Sequence, residues 1–286
     1  MRSVLLLTAV IELHAHTTFS DGTLTPTDLV AAARSARVRA LAISDHDTVS
    51  GWDEAIAAAA DTDLEIVPAI ELSTVHNGRG MHILGFWPDP QRLQGPLSQR
   101  QLGRRQRGEA MAAKLAELGY PIELPQLPNG AVPGRPHLAY ALVAAGHARS
   151  YDDAFHRFLR DGGPAYVDYG KFTAVEGIRL LRDCGAIPVW AHAYLFRGGQ
   201  PEAVLPELLE AGLMGLEVIH PSHSPSDVRK LERLCDRHQL LPTGGSDYHG
   251  PHPDGKGHHA SRLNGLGVPY EWLDWLKEAR DELQVA

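Results

Sequence analysis

Short apolar runs that close on a histidine or a carboxylate alternate along this chain with amphipathic, helix-like stretches. Val4–Leu13 reads as a buried strand that ends at His14 and His16. Ala40–Ser44 ends at Asp45 and His46, Leu64–Ile70 at Glu71, Ile187–Ala191 at His192, and Leu240–Gly244 runs on to Asp247 and His249. Gly215–Ile219 is a further strand, and Met81–Trp87 is placed beside Leu64–Ile70. Helices fill the intervals. One opens with Thr25 as N-cap and Pro26 at its first position, and another with the capping box Thr173-Ala174-Val175-Glu176. Repeated strand–helix units predict a parallel sheet, open or closed into a barrel. In a barrel the strand ends meet on one face, where an active site belongs.

The alternation breaks once. From about Ser98 to Asp161 the chain reads as helices, with a stripe of Leu102, Met111, Leu115 and Leu118 stopped by Gly119. That is too long for a loop of an α/β unit. Residues 98–165 are therefore expected to form an inserted helical cap, and residues 1–97 and 166–286 the barrel. Trp272, Leu273, Trp275 and Leu276 are expected to pack a last helix on the barrel.

The 286 residues can bury a full core, and 43% apolar with 22% charged residues is ordinary for a globular chain. Sixteen histidines are not ordinary. A formal charge of −8 argues against sequence-independent binding to duplex DNA. It leaves an anionic small substrate open, because bound divalent cations make a pocket locally positive. Cys184 and Cys235 form no CxxC, which suits a reducing cytoplasm. Met1–Val10 reads as part of the first strand rather than a signal peptide, no apolar run is long enough to span a membrane, and no segment names a protein partner.

Residues i and i+2 of a strand share a face, so His14 and His16 can grip one cation. With Asp21, His46, Glu71, His82, His192, Asp247 and His249 they make nine candidate ligands. Mixed imidazole and carboxylate suits Zn, Fe or Mn and suits Ca poorly. Nine ligands exceed the needs of one ion, and a shared Glu71 or Asp247 implies two to three divalent ions per chain. Such a centre lowers the pKa of a bound water to ~7 and clamps both oxygens of a displacement.

Leu13-His14-Ala15-His16-Thr17-Thr18 with Ser20-Asp21-Gly22-Thr23 resembles motif I of the PHP (polymerase and histidinol phosphatase) superfamily. Ser44-Asp45-His46-Asp47-Thr48 resembles motif II, Pro68-Ala69-Ile70-Glu71-Leu72-Ser73 its bridging-Glu segment, and His82-Ile83-Leu84-Gly85 the strand after it. Ala191-His192 resembles motif III and Gly245-Ser246-Asp247-Tyr248-His249 motif IV. Gly134-Arg135-Pro136-His137 and Asp161-Gly162-Gly163-Pro164-Ala165-Tyr166-Val167 are similar to the stand-alone nucleotide phosphoesterases of that superfamily. The resemblance implies a distorted (β/α)7 TIM-like barrel with a helical cap and three metals. It implies hydrolysis of the 3′-phosphate of nucleoside 3′,5′-bisphosphates by a metal-bound hydroxide. Alternatives are 5′→3′ trimming of short RNA or DNA, a histidinol-phosphatase-like phosphomonoesterase, and a non-catalytic metal-binding module. The substrate is thus expected to be a small nucleotide or short oligonucleotide.

By the same resemblance one ion takes His14, His16, Glu71 and Asp247, a second Glu71, His82 and His192, and a third Asp21, His46 and His249. The chain departs at Glu12, where the family has Asp, and at Ala193, which replaces a proline and is expected to loosen the loop holding His192. His223 is the candidate acid or phosphate contact. Arg135 leads the substrate contacts because its planar fork suits phosphate, followed by His137, Lys171 and Arg197. Asp45 and Asp47 read as partners orienting His46, and Arg104, Arg105 and Arg107 as the solvated face of the first cap helix.

Overall fold

The structure, a computed structural model, describes residues 10–127, 131–168, 172–251 and 262–285. Lys171 and most of the expected first strand lie outside these. Among the described residues, seven strands form one sheet in chain order: β1 (Val10–Glu12), β2 (Val38–Ile43), β3 (Glu65–His76), β4 (Arg79–Phe86), β5 (Ile187–Trp190), β6 (Gly215–Ile219) and β7 (Leu241–Gly244). Neighbours are parallel except around β4, which is antiparallel to both β3 and β5. The reason is local. Asn77 and Gly78 both take positive φ (50° and 69°), the pair that a two-residue hairpin demands. The uniform parallel order expected from repeated strand–helix units therefore gives way to one hairpin.

The sheet closes on itself beyond the ends of β1 and β7. Leu13 N–H donates to Gly244 C=O (3.2 Å), His16 N–H to Tyr248 C=O (2.8 Å) and Tyr248 N–H to His14 C=O (3.2 Å). Gly245 makes this possible, because a Cβ there would lie 2.4 Å from His14 Cβ. Gly245→Ala is expected to force the two segments apart, at a cost of about 1–3 kcal/mol. Thermal denaturation checks this, and an unchanged melting temperature would show that the closure tolerates a side chain.

Helices α1 (Pro26–Ser35) and α2 (Trp52–Ala59) follow β1 and β2, and α6 (Ala174–Asp183), α7 (Pro201–Glu210), α8 (Pro225–His238) and α9 (Glu271–Val285) belong to the second half. The caps form as expected. Thr25 accepts from the Asp28 N–H, and Thr173 and Glu176 close their box. In α9, Trp272, Leu273 and Leu276 are buried and Trp275 is exposed. Cys184 and Cys235 are buried and free. No helix among the described residues is long and apolar enough to cross a membrane.

Between β4 and β5 lie α3 (Pro90–Glu117), α4 (Arg135–Ala144) and α5 (Tyr151–Ala154), the last running into a π-helical turn at Phe155–Leu159. Residue 98, the expected boundary, falls inside α3, one continuous 28-residue helix. Its buried face is Leu93, Leu97, Arg100, Arg104, Gly108, Met111 and Leu115, a spacing of three and four. Leu93 and Leu97 join the barrel core, while Met111 and Leu115 join a separate cap core with Leu138, Leu142, Tyr151, Phe158 and Leu159. Leu102 and Leu118, read from sequence as part of the stripe, are exposed. Two arginines occupy the apolar phase, so hydrophobicity alone misplaces the face.

Candidate metal centre

The nine candidate ligands converge at the barrel mouth. Glu71 is central. Its Oε2 faces His14 Nε2 (3.3 Å), His16 Nε2 (3.2 Å) and His46 Nδ1 (3.1 Å), and its Oε1 faces His82 Nδ1 (2.9 Å) and His192 Nε2 (3.0 Å). Asp247 Oδ1 lies 3.3 Å from His14 Nε2 and 3.0 Å from His16 Nε2. Asp21 Oδ1 lies 3.2 Å from His249 Nε2, and Asp21 Oδ2 lies 3.7 Å from His46 Nε2. Three sets each place their donor atoms within 4.8 Å of one another: His14, His16, Glu71 and Asp247; His16, Asp21, His46 and His249; and His46, Glu71 and His82. The first matches the expected grouping, and the second adds His16 to it. In the third His46 takes the place of His192, whose imidazole still reaches Glu71.

These residues fit divalent cations by a test internal to the protein. His14 Nε2, His16 Nε2, His46 Nδ1, Asp21 Oδ1 and Glu71 Oε2 are buried without a hydrogen-bond partner. Buried polar atoms are rarely left so, and these five lie among facing candidate ligands. Burial disfavours ionisation of Asp21, Glu71 and Asp247, yet the facing imidazoles hold all three well below the usual carboxylate range. Burial lowers the pKa of His46 to about 3. For His16 burial is outweighed by Asp247 and Glu71, and its pKa rises to about 10. A cation taken up there displaces that proton, so metal affinity weakens in acid.

Three residues at the site hold left-handed backbone: Asp47 (φ 52°), His192 (φ 32°) and Asp247 (φ 51°). Each costs on the order of 1–3 kcal/mol and persists where surroundings impose it. For His192 the cause is visible. Its N–H donates to Glu217 Oε2 (2.7 Å), while Glu217 Oε1 accepts from His14 Nδ1 (3.0 Å). One buried carboxylate thus orients two candidate ligands, and Ala193 beside them is fully buried in a 3-10 turn. Glu217 escaped the sequence reading because it lies inside β6. A lone acid in an apolar strand was the available signal. His220 escaped too: its Nε2 is 3.8 Å from Asp247 Oδ2.

Asp45 and Asp47 bond to groups other than His46. Asp45 accepts from Thr17 N–H (2.7 Å), Thr17 Oγ1 (2.6 Å) and Ser20 Oγ (2.5 Å), fixing the loop that carries Asp21. Asp47 pairs with Arg100 and Arg104. Arg104 is consequently buried rather than solvated. Glu12 is buried with its carboxyl raised to about 8 by desolvation, and it accepts from the Ser246 N–H.

A cavity of about 700 Å³ separates the ligands from the cap. Arg135 and Arg197 both line it. Arg135 donates to Asp161 Oδ1 (2.7 Å) and lies against Phe155 and Tyr166. His137 is not on the cavity wall; its Nδ1 accepts from the Gly134 N–H (3.0 Å) and caps α4. His223 is also off the wall. Its Nδ1 donates to Val218 C=O (2.9 Å) and its Nε2 faces the Tyr194 N–H (3.4 Å), so the turn after β6 consumes the ring expected to serve as acid.

Residues 12–124 match the PHP domain family model. A Chromobacterium violaceum protein named 3′,5′-nucleoside bisphosphate phosphatase is 32% identical over 87% of this chain and 90% of its own length. The Escherichia coli 5′-3′ exoribonuclease Rnm is 33% identical over 85% of this chain and 86% of its own. The crystal structure of a Bifidobacterium adolescentis protein, provisionally described as a metal-dependent phosphoesterase, superposes with a TM-score of 0.83 at 31% identity, covering 95% of this chain and 96% of that one. With relatives above 30% identity matched over nearly their whole length, the chain belongs to the PHP domain family and is a metal-dependent hydrolase of phosphoric esters.

Proposed function

We propose that the protein removes the 3′-phosphate of nucleoside 3′,5′-bisphosphates, leaving a 5′-mononucleotide and inorganic phosphate. The observation that carries this reading is the two-ended cavity. Its floor is Asp21, His46, Glu71, His82, His192, Asp247 and His249, and its cap-side wall includes Arg135, Tyr151, Phe155 and Tyr166. Two to three Mn, Zn or Fe ions held on the floor would supply Lewis acidity at a phosphoryl oxygen and acidify water. Glu217 keeps His14 and His192 in place for that task, and Asp45 does so for the Asp21 loop. At the other end Arg135 offers its guanidinium to the second phosphate, steadied by Asp161. The similar Chromobacterium phosphatase supports this substrate class. The exoribonuclease relative supports a second reading, 5′ trimming of short RNA in the same cavity. Two buried free thiols suit a cytoplasmic setting.

Phosphate release by metal-loaded protein tests the reading on adenosine 3′,5′-bisphosphate, a 5′-phosphorylated dinucleotide, histidinol phosphate and an aryl phosphate, with Asp247→Asn as control. The bisphosphate is expected to give the highest kcat/KM. Arg135→Ala is expected to raise KM at least ~10-fold for the bisphosphate and under ~2-fold for the aryl ester, since charged hydrogen bonds are worth about 1.5–3 kcal/mol. Preference for the dinucleotide would favour the exonuclease reading. Equal effects of Arg135→Ala on both substrates would remove it from substrate recognition.

A further inference from the structure

Two guanidiniums share one carboxylate at the seam between barrel and cap. Arg100 Nε donates to Asp47 Oδ1 (2.8 Å) and Arg104 Nη1 to Asp47 Oδ2 (2.7 Å), and all three side chains are buried. The partners then diverge. Arg100 stacks over the Phe172 ring at 4.0 Å, donates to the Ser73 carbonyl and is absent from the cavity wall. Arg104 lines the cavity, held there by Asp47, next in sequence to His46, and by Ser73, two residues after Glu71. Its Nη1 is pinned a second time by Ser73 Oγ (3.0 Å), and its Nη2 lies where a Cβ on Gly134 would come within 3.1 Å.

We propose that Arg104 is a substrate-binding residue that holds a non-bridging oxygen of the phosphoryl group at the metal centre. A guanidinium is planar, permanently charged and matched to phosphate. Arg104 reaches the cavity already ordered by Asp47 and Ser73, so little side-chain freedom is lost on binding. Arg100 supplies an internal control: it shares the buried carboxylate without touching the cavity. The proposal rests on the phosphoester reading of the site.

The experiment measures binding of inorganic phosphate to the metal-loaded protein by calorimetry, in Arg104→Gln, Arg104→Lys and Arg100→Gln, with the melting temperature of each. Arg104→Gln is expected to weaken phosphate at least ~10-fold, the effect of losing one charge-assisted hydrogen bond. Arg100→Gln is expected to bind within ~2-fold of wild type while melting lower. Should Arg104→Gln not fold, Arg104→Lys decides, because one ammonium cannot hold Asp47 and reach the cavity together; weakened phosphate at a near-native melting temperature supports the proposal. Unchanged phosphate affinity in the folded Arg104 variants overturns it, as does an equal loss in Arg100→Gln. Because phosphate itself is the probe, weakened binding in a protein inactive on bisphosphates would sink the substrate reading alone, and intact bisphosphate turnover with unchanged phosphate affinity would sink this inference alone.

Discussion

Glu71→Gln is expected to strip the centre of metal and cut phosphate release by at least ~10³-fold, about 4 kcal/mol of transition-state stabilisation. Five imidazoles face its two oxygens between 2.9 and 3.3 Å. A carboxamide keeps the shape but removes the charge and turns an NH₂ donor toward part of that ring. Among the described residues, Asp247 faces His14, His16 and His249 and Asp21 faces His16, His46 and His249, but neither reaches all five imidazoles around Glu71. Elemental analysis of the purified variant should show metal loss, with circular dichroism unchanged. A variant that keeps its metal and turns over within tenfold of wild type would remove Glu71 from the centre of the account.

The largest effect on stability is expected from Asp47→Asn. Asp47 is fully buried, burial opposes its charge, and the two arginines prevail and hold its carboxyl far below the usual range. Removing the charge leaves two buried guanidiniums without their counter-ion, a loss of about 3–5 kcal/mol. At roughly 2–4 °C per kcal/mol for a domain somewhat smaller than this one, the melting temperature should fall by about 10 °C. An exposed pair provides the contrast. Arg39 and Asp63 are half or more exposed, and Arg39→Ala should cost about 0–1 kcal/mol. Similar shifts in the two variants would show that the Asp47 network contributes no more than a surface pair.

The cluster of candidate ligands is legible in the sequence because strand geometry does much of the sorting. His14 and His16 share a face by the two-residue period, His46, His192 and Asp247 follow strand ends, and Glu71 and His82 lie within β3 and β4. What tied these elements together was less visible. Glu217 is an acid inside an apolar strand, and its partners are 203 and 25 residues away in sequence. Arg100 and Arg104 occupy helix positions where periodicity looks for leucine, so the seam between barrel and cap reads as solvent-facing. His137 and His223 were singled out for their chemistry, but neighbouring backbone groups claim their ring nitrogens. The antiparallel β4 depended on an Asn-Gly turn that the alternation of strands and helices obscured.

Hydrolysis of adenosine 3′,5′-bisphosphate in ¹⁸O-enriched water, followed by ³¹P NMR, tests the central claim most directly. The account requires unlabelled adenosine 5′-phosphate, with one ¹⁸O atom in the inorganic phosphate. Release of the 5′-phosphate instead, label in the nucleotide, or no turnover by the metal-loaded protein would contradict it.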